Sequence, residues 1–542
     1  MSRLNRYVRG LITPAATILL MAGSAISGEV ETRIEALVLS IKAESPELQT
    51  EITAENFIPE FYALRGYEPA WFDEASAQTL FEQLERGVAQ GFRAQDFRLD
   101  EVRALYDHAR SSGAVEDIAV YDVVASDAAA RLLNYSIFGK VDPASLDRDW
   151  NFERLVLQQN PPEVVNAFLA GEGFKALMDR VVLQQAQYDG LLKALVAYRA
   201  VAEEGGWPSV SDDEVLKPGM IAAGVEDLRL RLAAEHALNA GQILPTAPET
   251  GEPAAWVYDP NLEEDVRDFQ ARHGLEADGV VGAKTFQALN RTAQERVDQI
   301  RLSLERARWI MRDLEDTFVL VNIAGNRTYF SNGQDLWITR SITGTQYRKT
   351  PVFRDNIQYM EFNPTWTVPN SIFRKDKLSR IRKDIGYLDR NNYVVKTQDG
   401  TVIPAASVNW AADNPGVTLM QKPGPNNALG LVKFMFPNKY AVYLHDTDNR
   451  ALFERNERNL SSGCVRIQYP FEFAKLLMEG APEWSDAKMR AILDSGKTTR
   501  VNLPQPVPVM LTYWTAWVEE GAVHFREDIY ERDAKILEAL DR

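Results

Sequence analysis

Apolar residues recur at intervals of three and four along the N-terminal part of the chain. In the segment Thr79–Gly91, Leu84 and Val88 fall on one face, which is the spacing of an amphipathic helix. The segment Ile118–Phe138 has the same period and is rich in alanine. We therefore predict a helical region from Glu29 to about Pro218, whose aromatic residues pack in its core.

A second helical unit is predicted from Met220 to Thr292. In it, Leu262, Val266 and Phe269 share one helix face at spacings of four and three. The pattern predicts helices at Val225–Asn239, at Leu262–His273 and around Phe286 and Leu289, with a Pro-rich interruption at Leu244–Pro253 and a tight turn at Asp278 to Gly282.

The pattern changes to a period of two beyond a helix predicted at Glu295–Asp313. Strands are predicted at Thr317–Ile323, Thr328–Phe330, Leu336–Thr343, Leu431–Phe436, Tyr440–Leu444 and Val507–Val518, and a closing helix at Glu527–Leu540. Between Trp366 and Leu431 lies a polar, turn-rich stretch that is helical and charged from Ile372 to Asp384. It is too long for an ordinary loop and predicts an inserted lid or subdomain.

These patterns together predict a multidomain α+β protein. The predicted parts are a leader (1–28), a helical scaffold (29–219), a small three-helix domain (220–294) and a mostly β domain (295–542) with a capping insertion at about 371–428.

The first 28 residues have the form of a secretory signal. They carry Arg3, Arg6 and Arg9 but no acidic residue, then the mostly apolar run Leu11–Gly23 and the small residues of Ala25–Gly28. We therefore expect the rest of the chain to be exported. An uncleaved leader is the alternative, and it would anchor the chain in the membrane.

Composition excludes several classes of function. The 542 residues include 60 basic and 77 acidic side chains, for a net charge of −17, so a nucleic-acid binder that uses a basic surface is excluded. The single cysteine, Cys464, allows no intramolecular disulfide and no multi-cysteine metal site. No HExxH or comparable spacing occurs, and we predict no metal and no cofactor.

The chemistry points to Cys464 and His445. His445 and Asp446 end the apolar run YAVYLHD, and nineteen residues after His445 comes Cys464 within SSGCVR. A cysteine nucleophile needs a base and donors for the developing oxyanion, and a neighbouring histidine favours the reactive thiolate. Gly463 lets the backbone amides of Gly463 and Cys464 approach a substrate carbonyl, so we predict that they form the oxyanion hole.

These motifs resemble the L,D-transpeptidases, whose catalytic unit is the YkuD-type β domain. HDT followed by SSGCVR is similar to the histidine and cysteine signature of that family, and FQARHGL, DGVVG and TFQALN resemble a peptidoglycan-binding domain. Further matches to the large Gram-negative members are FYALRGYEPAWFD, NPTWTVPNSI, LGLVKFMFPN, TYWTAWV and HFREDIY. The resemblance extends over nearly all of the chain after the leader.

The resemblance implies a periplasmic enzyme that forms 3→3 peptidoglycan cross-links. Cys464 would take the acyl group of a tetrapeptide stem, and a diaminopimelate amine of a second stem would resolve the thioester. His445 would act as general base and acid, and the backbone carbonyl of Asp446 would orient it. Tyr443 and Trp366 would line the donor pocket, while Ser461, Ser462 and Arg466 would organise the cysteine loop or bind substrate carboxylate. Many members have histidine where this chain has Ser462, which leaves His445 as the nearby base.

Two other functions are open at this point. Water in place of the amine would give an L,D-carboxypeptidase or an amidase through the same thioester. An inert, buried Cys464 would instead indicate a wall-binding structural protein. The expected partners are stem peptides and glycan of peptidoglycan and other cell-wall synthases, and the resemblance also implies acylation by carbapenems.

Overall fold

The computed structural model of the protein describes residues 26–42, 48, 50–147, 150–152, 157–239 and 253–542. Residues 1–25 of the predicted leader lie outside these ranges, as does all but the last residue of the Pro-rich interruption predicted at Leu244–Pro253. Within the described ranges, no helix combines the length and the hydropathy that spanning a bilayer requires.

The N-terminal region is helical and packs around one long helix, Val115–Phe138. Its helices are Ile26–Lys42, Phe57–Leu64, Glu74–Ala89, Leu99–Ser112, Val115–Phe138, Pro143–Leu146, Pro161–Ala170, Phe174–Val181 and Ala186–Glu203, with a 3-10 turn at Ala94–Phe97. The buried carboxylate of Asp122 in the long helix accepts hydrogen bonds from the amides of Ala70 and Trp71 and from the Tyr62 hydroxyl. These bonds satisfy a polar group that would otherwise destabilise the core.

The small helical unit that follows has its own hydrophobic core. Its helices are Gly224–Asn239, Pro260–Arg272 and Ala283–Leu289, with a 3-10 turn at Pro253–Trp256. Leu228, Phe269 and Leu289 are fully buried in this core. Asp259 caps the middle helix by accepting from the amides of Asn261 and Leu262, and proline occupies the first turn, where no amide hydrogen is needed.

The helix Ala293–Ile310 joins the scaffold to the β domain. It begins with a capping box between Thr292 and Glu295 and packs along the helix Ala186–Glu203. Its charged side chains are buried and bonded rather than solvated: Glu305 accepts from the Val141 amide at 2.8 Å and from Arg308 at 2.8 Å. The two domains are therefore held together by specific polar contacts as well as by apolar packing.

The C-terminal domain is built on one nine-stranded sheet. The chain contains strands β1 Thr317–Asn322, β2 Arg327–Asn332, β3 Leu336–Gly344, β4 Phe353–Phe362, β5 Trp366–Thr367, β6 Tyr393–Lys396, β7 Val402–Ile403, β8 Thr418–Gln421, β9 Val432–Met435, β10 Leu444–His445, β11 Asn459–Ser461, β12 Val465–Ile467, β13 Thr499–Thr512, β14 Ala516–Glu519 and β15 Ala522–Phe525. The order in the large sheet is β11-β3-β12-β10-β9-β4-β13-β1-β2, and β2 also pairs with β3. Because β2, the last strand in this order, also pairs with β3, the sheet closes on itself and β2 is not a free edge strand.

Helices Pro470–Leu477, Asp486–Asp494 and Asp533–Asp541 and the hairpin of β14 and β15 complete this domain. The capping insertion forms a separate layer with the sheet β5-β8-β6-β7 and short helices at Asn370–Ile372, Leu378–Lys383 and Tyr387–Arg390, a π-helical turn at Phe373–Lys377 and a 3-10 turn at Ala405–Ser407. Phe373, Leu388 and Leu419 are among the residues of its own core. The predicted fold class is confirmed, including the mostly β character of the last domain.

Two strand predictions differ from the structure, and strands β4 to β8, β11, β12 and β15 were not predicted. The run Tyr440–Leu444 forms a strand only at Leu444–His445, because Ala441 has a left-handed backbone, with φ of +53°. The run Val507–Val518 is divided between β13 and β14. The closing helix begins at Asp533 rather than at Glu527.

Candidate active site

The short parallel pair of β10 and β12 brings the predicted histidine and cysteine to one place. His445 is paired with Arg466, and Leu444 with Val465. Since side chains alternate between the faces of a sheet, Tyr443 and His445 on one strand share a face with Cys464 and Arg466 on the other. Tyr443 lies beside both chemical groups: its ring centre is 5.6 Å from that of the imidazole, and the Cys464 thiol is near enough to raise the pKa of the Tyr443 hydroxyl.

The imidazole of His445 is buried and held by the backbone. Its Nδ1 lies 2.5 Å from the Asp446 carbonyl oxygen. Burial lowers the pKa of His445 to about 3, and the positive charges of Arg466 and Lys433 act in the same direction. The ring is therefore neutral at pH 7. With Nδ1–H donating to the carbonyl, Nε2 keeps the lone pair that a base needs.

The thiol of Cys464 is half-buried at the boundary between the large sheet and the cysteine loop. Its sulfur lies 3.8 Å from the carbonyl oxygen of Ala441. Burial raises the pKa of Cys464, whereas polar groups of Tyr443 and the charges of Lys433 and Arg466 lower it. The expected stabilisation of the thiolate thus comes from Tyr443 and the two cations rather than from an imidazolium. In the described part of the chain no hydrogen bond joins the sulfur to the His445 ring.

The loop that carries the cysteine is fixed by Ser461 and Thr350. The Ser461 hydroxyl donates to the Cys464 carbonyl at 2.6 Å and accepts from the Gly463 amide at 3.0 Å. The buried Thr350 hydroxyl donates to the Gly463 carbonyl at 2.9 Å. Gly463 has φ of +120°, a backbone region that glycine tolerates and side chains do not.

The oxyanion role predicted for Gly463 stays a prediction. A backbone amide has one hydrogen to donate, and that of Gly463 is already donated to Ser461 in this conformation. Gly463 gives the loop its turn, and the Ser461 hydroxyl bonds to both Gly463 and Cys464 of the loop.

Trp366 lies where the cap meets the site. It is buried in the core of the cap, and Tyr443 packs against that core. Trp366 and Tyr443 are thus brought together beside the sulfur, at the boundary between the cap and the large sheet.

Ser462 is exposed and belongs to a contact that sequence reasoning missed. Its hydroxyl accepts from Arg348 at 2.8 Å, and the same guanidinium forms two bonds with Asp376 of the cap, at 2.6 and 2.8 Å. This arrangement connects the cysteine loop, the segment after β3 and the cap.

Arg466 has unused hydrogen-bonding capacity. It is half-buried, and no described residue accepts a bond from its Nε. Lys433 on the neighbouring strand also faces the site, with Nζ 4.2 Å from the centre of the Tyr443 ring. Arg348, Thr350 and Lys433 were not singled out from the sequence, because their roles depend on strand register and on loop contacts distant in the chain.

Three segments of the chain match known protein families. Residues 316–484 match YkuD, described as the L,D-transpeptidase catalytic domain. Residues 56–195 match a family described as the scaffold domain, and residues 232–289 match one described as "putative peptidoglycan binding domain". The chain contains an L,D-transpeptidase catalytic domain.

A relative from Haemophilus influenzae named "Putative L,D-transpeptidase" is 36% identical over 220 residues, which is 40% of this chain. The match spans 45% of that relative's length. Two solved structures are more distant. One is described as the Ldtfm–avibactam carbamoyl enzyme, with 12% identity, 37% of this chain and 50% of that chain covered, and a TM-score of 0.17. The other is a fused Zn-dependent amidase/peptidase/peptidoglycan-binding domain-containing protein from Clostridium acetobutylicum, with 14% identity, 55% and 99% covered, and a TM-score of 0.15.

The L,D-transpeptidase domain thus contains all nine residues predicted for the site. Direct contacts or one shared neighbour link Cys464, His445, Tyr443 and Trp366. The loop around the thiol contains Ser461, Ser462 and Gly463. Asp446 holds the imidazole through its backbone, as expected from the resemblance, and Arg466 lies beside that ring. The roles of these residues in a reaction stay predictions. The domain boundaries given above also stay predictions.

Proposed function

We propose that this L,D-transpeptidase domain transfers a peptidoglycan acyl group through Cys464 and forms 3→3 cross-links. The observation that carries the proposal is the strand register, which places Tyr443 and His445 on one face of the sheet with Cys464 and Arg466, while the Tyr443 ring packs beside a neutral histidine. A nucleophile and a base on one face of a sheet, within a domain that matches the catalytic unit of the family, favour nucleophilic acyl transfer.

The first step forms a thioester. The thiol turns from Tyr443 toward the imidazole, and Nε2 of His445 takes its proton as the sulfur attacks the carbonyl carbon of the third stem residue. The tetrahedral oxyanion accepts a hydrogen bond from the Cys464 amide, one of the two amides predicted to form the oxyanion hole. When the carbon–nitrogen bond breaks, the terminal D-alanine leaves with the proton held by His445 on its amine.

The second step transfers the acyl group. The side-chain amine of diaminopimelate on another stem attacks the thioester, its proton passes to His445, and the thiol is restored as the new amide forms. Water in place of the amine would give a free carboxylate instead. Acceptor choice is therefore the point at which transpeptidation and hydrolysis separate, because acylation is common to both.

Several parts of the protein support a peptidoglycan substrate. The match of residues 232–289 to a peptidoglycan-binding family supports attachment to glycan or stem peptides close to the active domain. The unpaired Nε of Arg466 is suited to a substrate carboxylate, since guanidinium groups bind carboxylates strongly. The leader predicted at residues 1–28 supports a periplasmic location, where cell-wall synthases would supply the donor stems.

Incubation of the purified protein with a disaccharide tetrapeptide tests the proposal. We expect a dimer joined through tripeptide and free D-alanine by mass spectrometry, and neither product from the Cys464→Ala variant. Release of D-alanine with only a monomeric tripeptide would identify an L,D-carboxypeptidase. No product from a folded wild-type protein, together with no acylation of Cys464 by a carbapenem, would favour a wall-binding protein.

A further inference from the structure

Four polar side chains form a row across the centre of the large sheet, beside the thiol. The strand registers pair Glu361 of β4 with Lys433 of β9, Lys433 with His445 of β10, and His445 with Arg466 of β12. Residues paired directly across strands point to the same face, so His445 lies between two cations. The adjacent row on that face contains Tyr443 and Cys464.

Lys433 is the unexplained member of this row. It is half-buried, and its ammonium forms no hydrogen bond and no ion pair with any residue that the structure describes. It lies over the Tyr443 ring at 4.2 Å, and register places Tyr443 beside Cys464. The positive charge of Lys433 lowers the pKa of Cys464, and the negative charge of the Cys464 thiolate raises the pKa of Lys433.

Such an arrangement is unfavourable for folding alone. Burial lowers the pKa of Lys433, and like charges that flank a cross-strand neighbour oppose each other. A neutral side chain of the same length would pack on Tyr443 without this cost. The positive charge of Lys433 therefore stabilises a state of the site in which a negative charge lies nearby.

We propose that Lys433 is a positioning residue that acts electrostatically on the nucleophile and its base, favouring the Cys464 thiolate while keeping the His445 imidazole unprotonated. The positive charge lowers the free energy of the thiolate through space and raises that of an imidazolium at the next position in the row. The thiol therefore loses its proton more readily, and the imidazole stays unprotonated at neutral pH. The role in turnover depends on the proposed acyl transfer, but the effect on the thiol does not.

Other charged and titratable groups face this pair and set the background. Arg466 acts on the thiol and the imidazole with the same sign as Lys433, and Tyr443 also lowers the pKa of Cys464. Glu361 lies on the far side of Lys433 and partly offsets its charge, and Asp448 does the same for Arg466. Arg348 is directed to Ser462 and Asp376. Each of these groups is unchanged in a Lys433 variant, so the contribution of Lys433 can be isolated.

The test is the pH dependence of iodoacetamide labelling of Cys464, which requires no peptidoglycan substrate. The variants are Lys433→Met and Lys433→Arg, and the matched control is Lys396→Met, which removes a half-buried strand lysine from the sheet of the cap. We expect the midpoint for Lys433→Met to rise by about one pH unit, which is about tenfold slower labelling at a fixed pH below the midpoint. Lys433→Arg and Lys396→Met should retain the wild-type midpoint.

A second readout separates this role from substrate binding. Loss of the cation also raises the pKa of His445, so both limbs of the kcat/KM pH profile should move to higher pH in Lys433→Met. A raised KM with unchanged labelling midpoint and unchanged limbs would overturn the proposal and assign Lys433 to a substrate carboxylate.

Lys433→Gln serves the same purpose if the Met variant does not fold, as judged by its melting temperature. An unchanged midpoint in a folded neutral variant also overturns the proposal, whereas a shifted midpoint without any cross-linking activity in the wild type would refute only the proposed function.

Discussion

Asp376 of the cap and Arg348 of the large sheet's domain form a two-pronged ion pair, with bonds of 2.6 and 2.8 Å. The guanidinium also donates to Ser462, two residues before the nucleophile proposed above. The cap is thereby connected to the cysteine loop through the side chain of Arg348.

Removing this ion pair should loosen the cap without unfolding the domain. Both partners are about one third exposed, so Asp376→Asn should cost at most about 1 kcal/mol of stability. We expect faster amide hydrogen exchange in residues 370–396 and faster iodoacetamide labelling of Cys464. The control is Asp384→Asn, which breaks an exposed ion pair with Arg390 inside the cap. Equal exchange rates in the two variants would show that the Arg348 contact does not hold the cap.

Thr350 should be required to hold the cysteine loop. Thr350→Val leaves the Gly463 carbonyl and the Gly344 amide without their hydroxyl partner, which should cost about 1–3 kcal/mol in urea unfolding. Thr350→Ser should recover most of this loss. Thr339 provides a matched control, because it is buried on β3 and its hydroxyl has no partner among the described residues. Thr339→Val should be nearly neutral, and a similar cost at both positions would contradict the account of the loop.

Gly430 should tolerate no side chain, because it packs on the carboxyl of Asp446. Its φ is +63°, and a Cβ placed there would lie 2.4 Å from the Asp446 Cγ. Gly416 in the cap has φ of +69° but open space around it. Gly430→Ala should therefore cost about 1–3 kcal/mol more than Gly416→Ala in thermal unfolding. It should also slow catalysis, since Asp446 holds the imidazole. Similar melting temperatures for the two variants would argue against this packing.

The pH dependence of Cys464 reactivity follows from the burial of both groups. Because the pKa of Cys464 is raised, labelling should increase with pH through a midpoint above that of a free thiol. His445, with its pKa lowered to about 3, stays neutral from pH 5 to 8, so no step near pH 6.5 is expected. Stopped-flow alkylation from pH 5 to 10 measures this. A reactive plateau extending below pH 7 would instead indicate a preformed thiolate and imidazolium pair.

The sequence predicted the helical regions well because amphipathic periodicity reports directly on buried faces. It missed β4, whose residues Asp355, Asn356 and Gln358 interrupt the apolar pattern. It placed the start of β13 too late, because Pro504, Pro506 and Pro508 lack amide hydrogens and oppose a strand, yet they are accommodated near a register shift between Asn502 and Val507.

The candidate site was predicted as a set of residues but not as an arrangement. The motifs around His445 and Cys464 identified the chemistry, whereas Lys433 enters only because register pairs it with His445. The use of the Gly463 amide by Ser461 depends on loop conformation, which residue types alone do not determine.

The central claim is that Cys464 receives the acyl group, and intact-mass analysis of the trapped acyl-enzyme tests it most directly. Rapid acid quenching during reaction with a disaccharide tetrapeptide should give a mass increase equal to the disaccharide tripeptide acyl group, located on the Cys464 peptide. His445→Gln should slow its appearance by about 100-fold or more, and Cys464→Ala should abolish it. Cross-linked product formed at an undiminished rate by Cys464→Ala, with no adduct on the wild-type protein, would contradict the account.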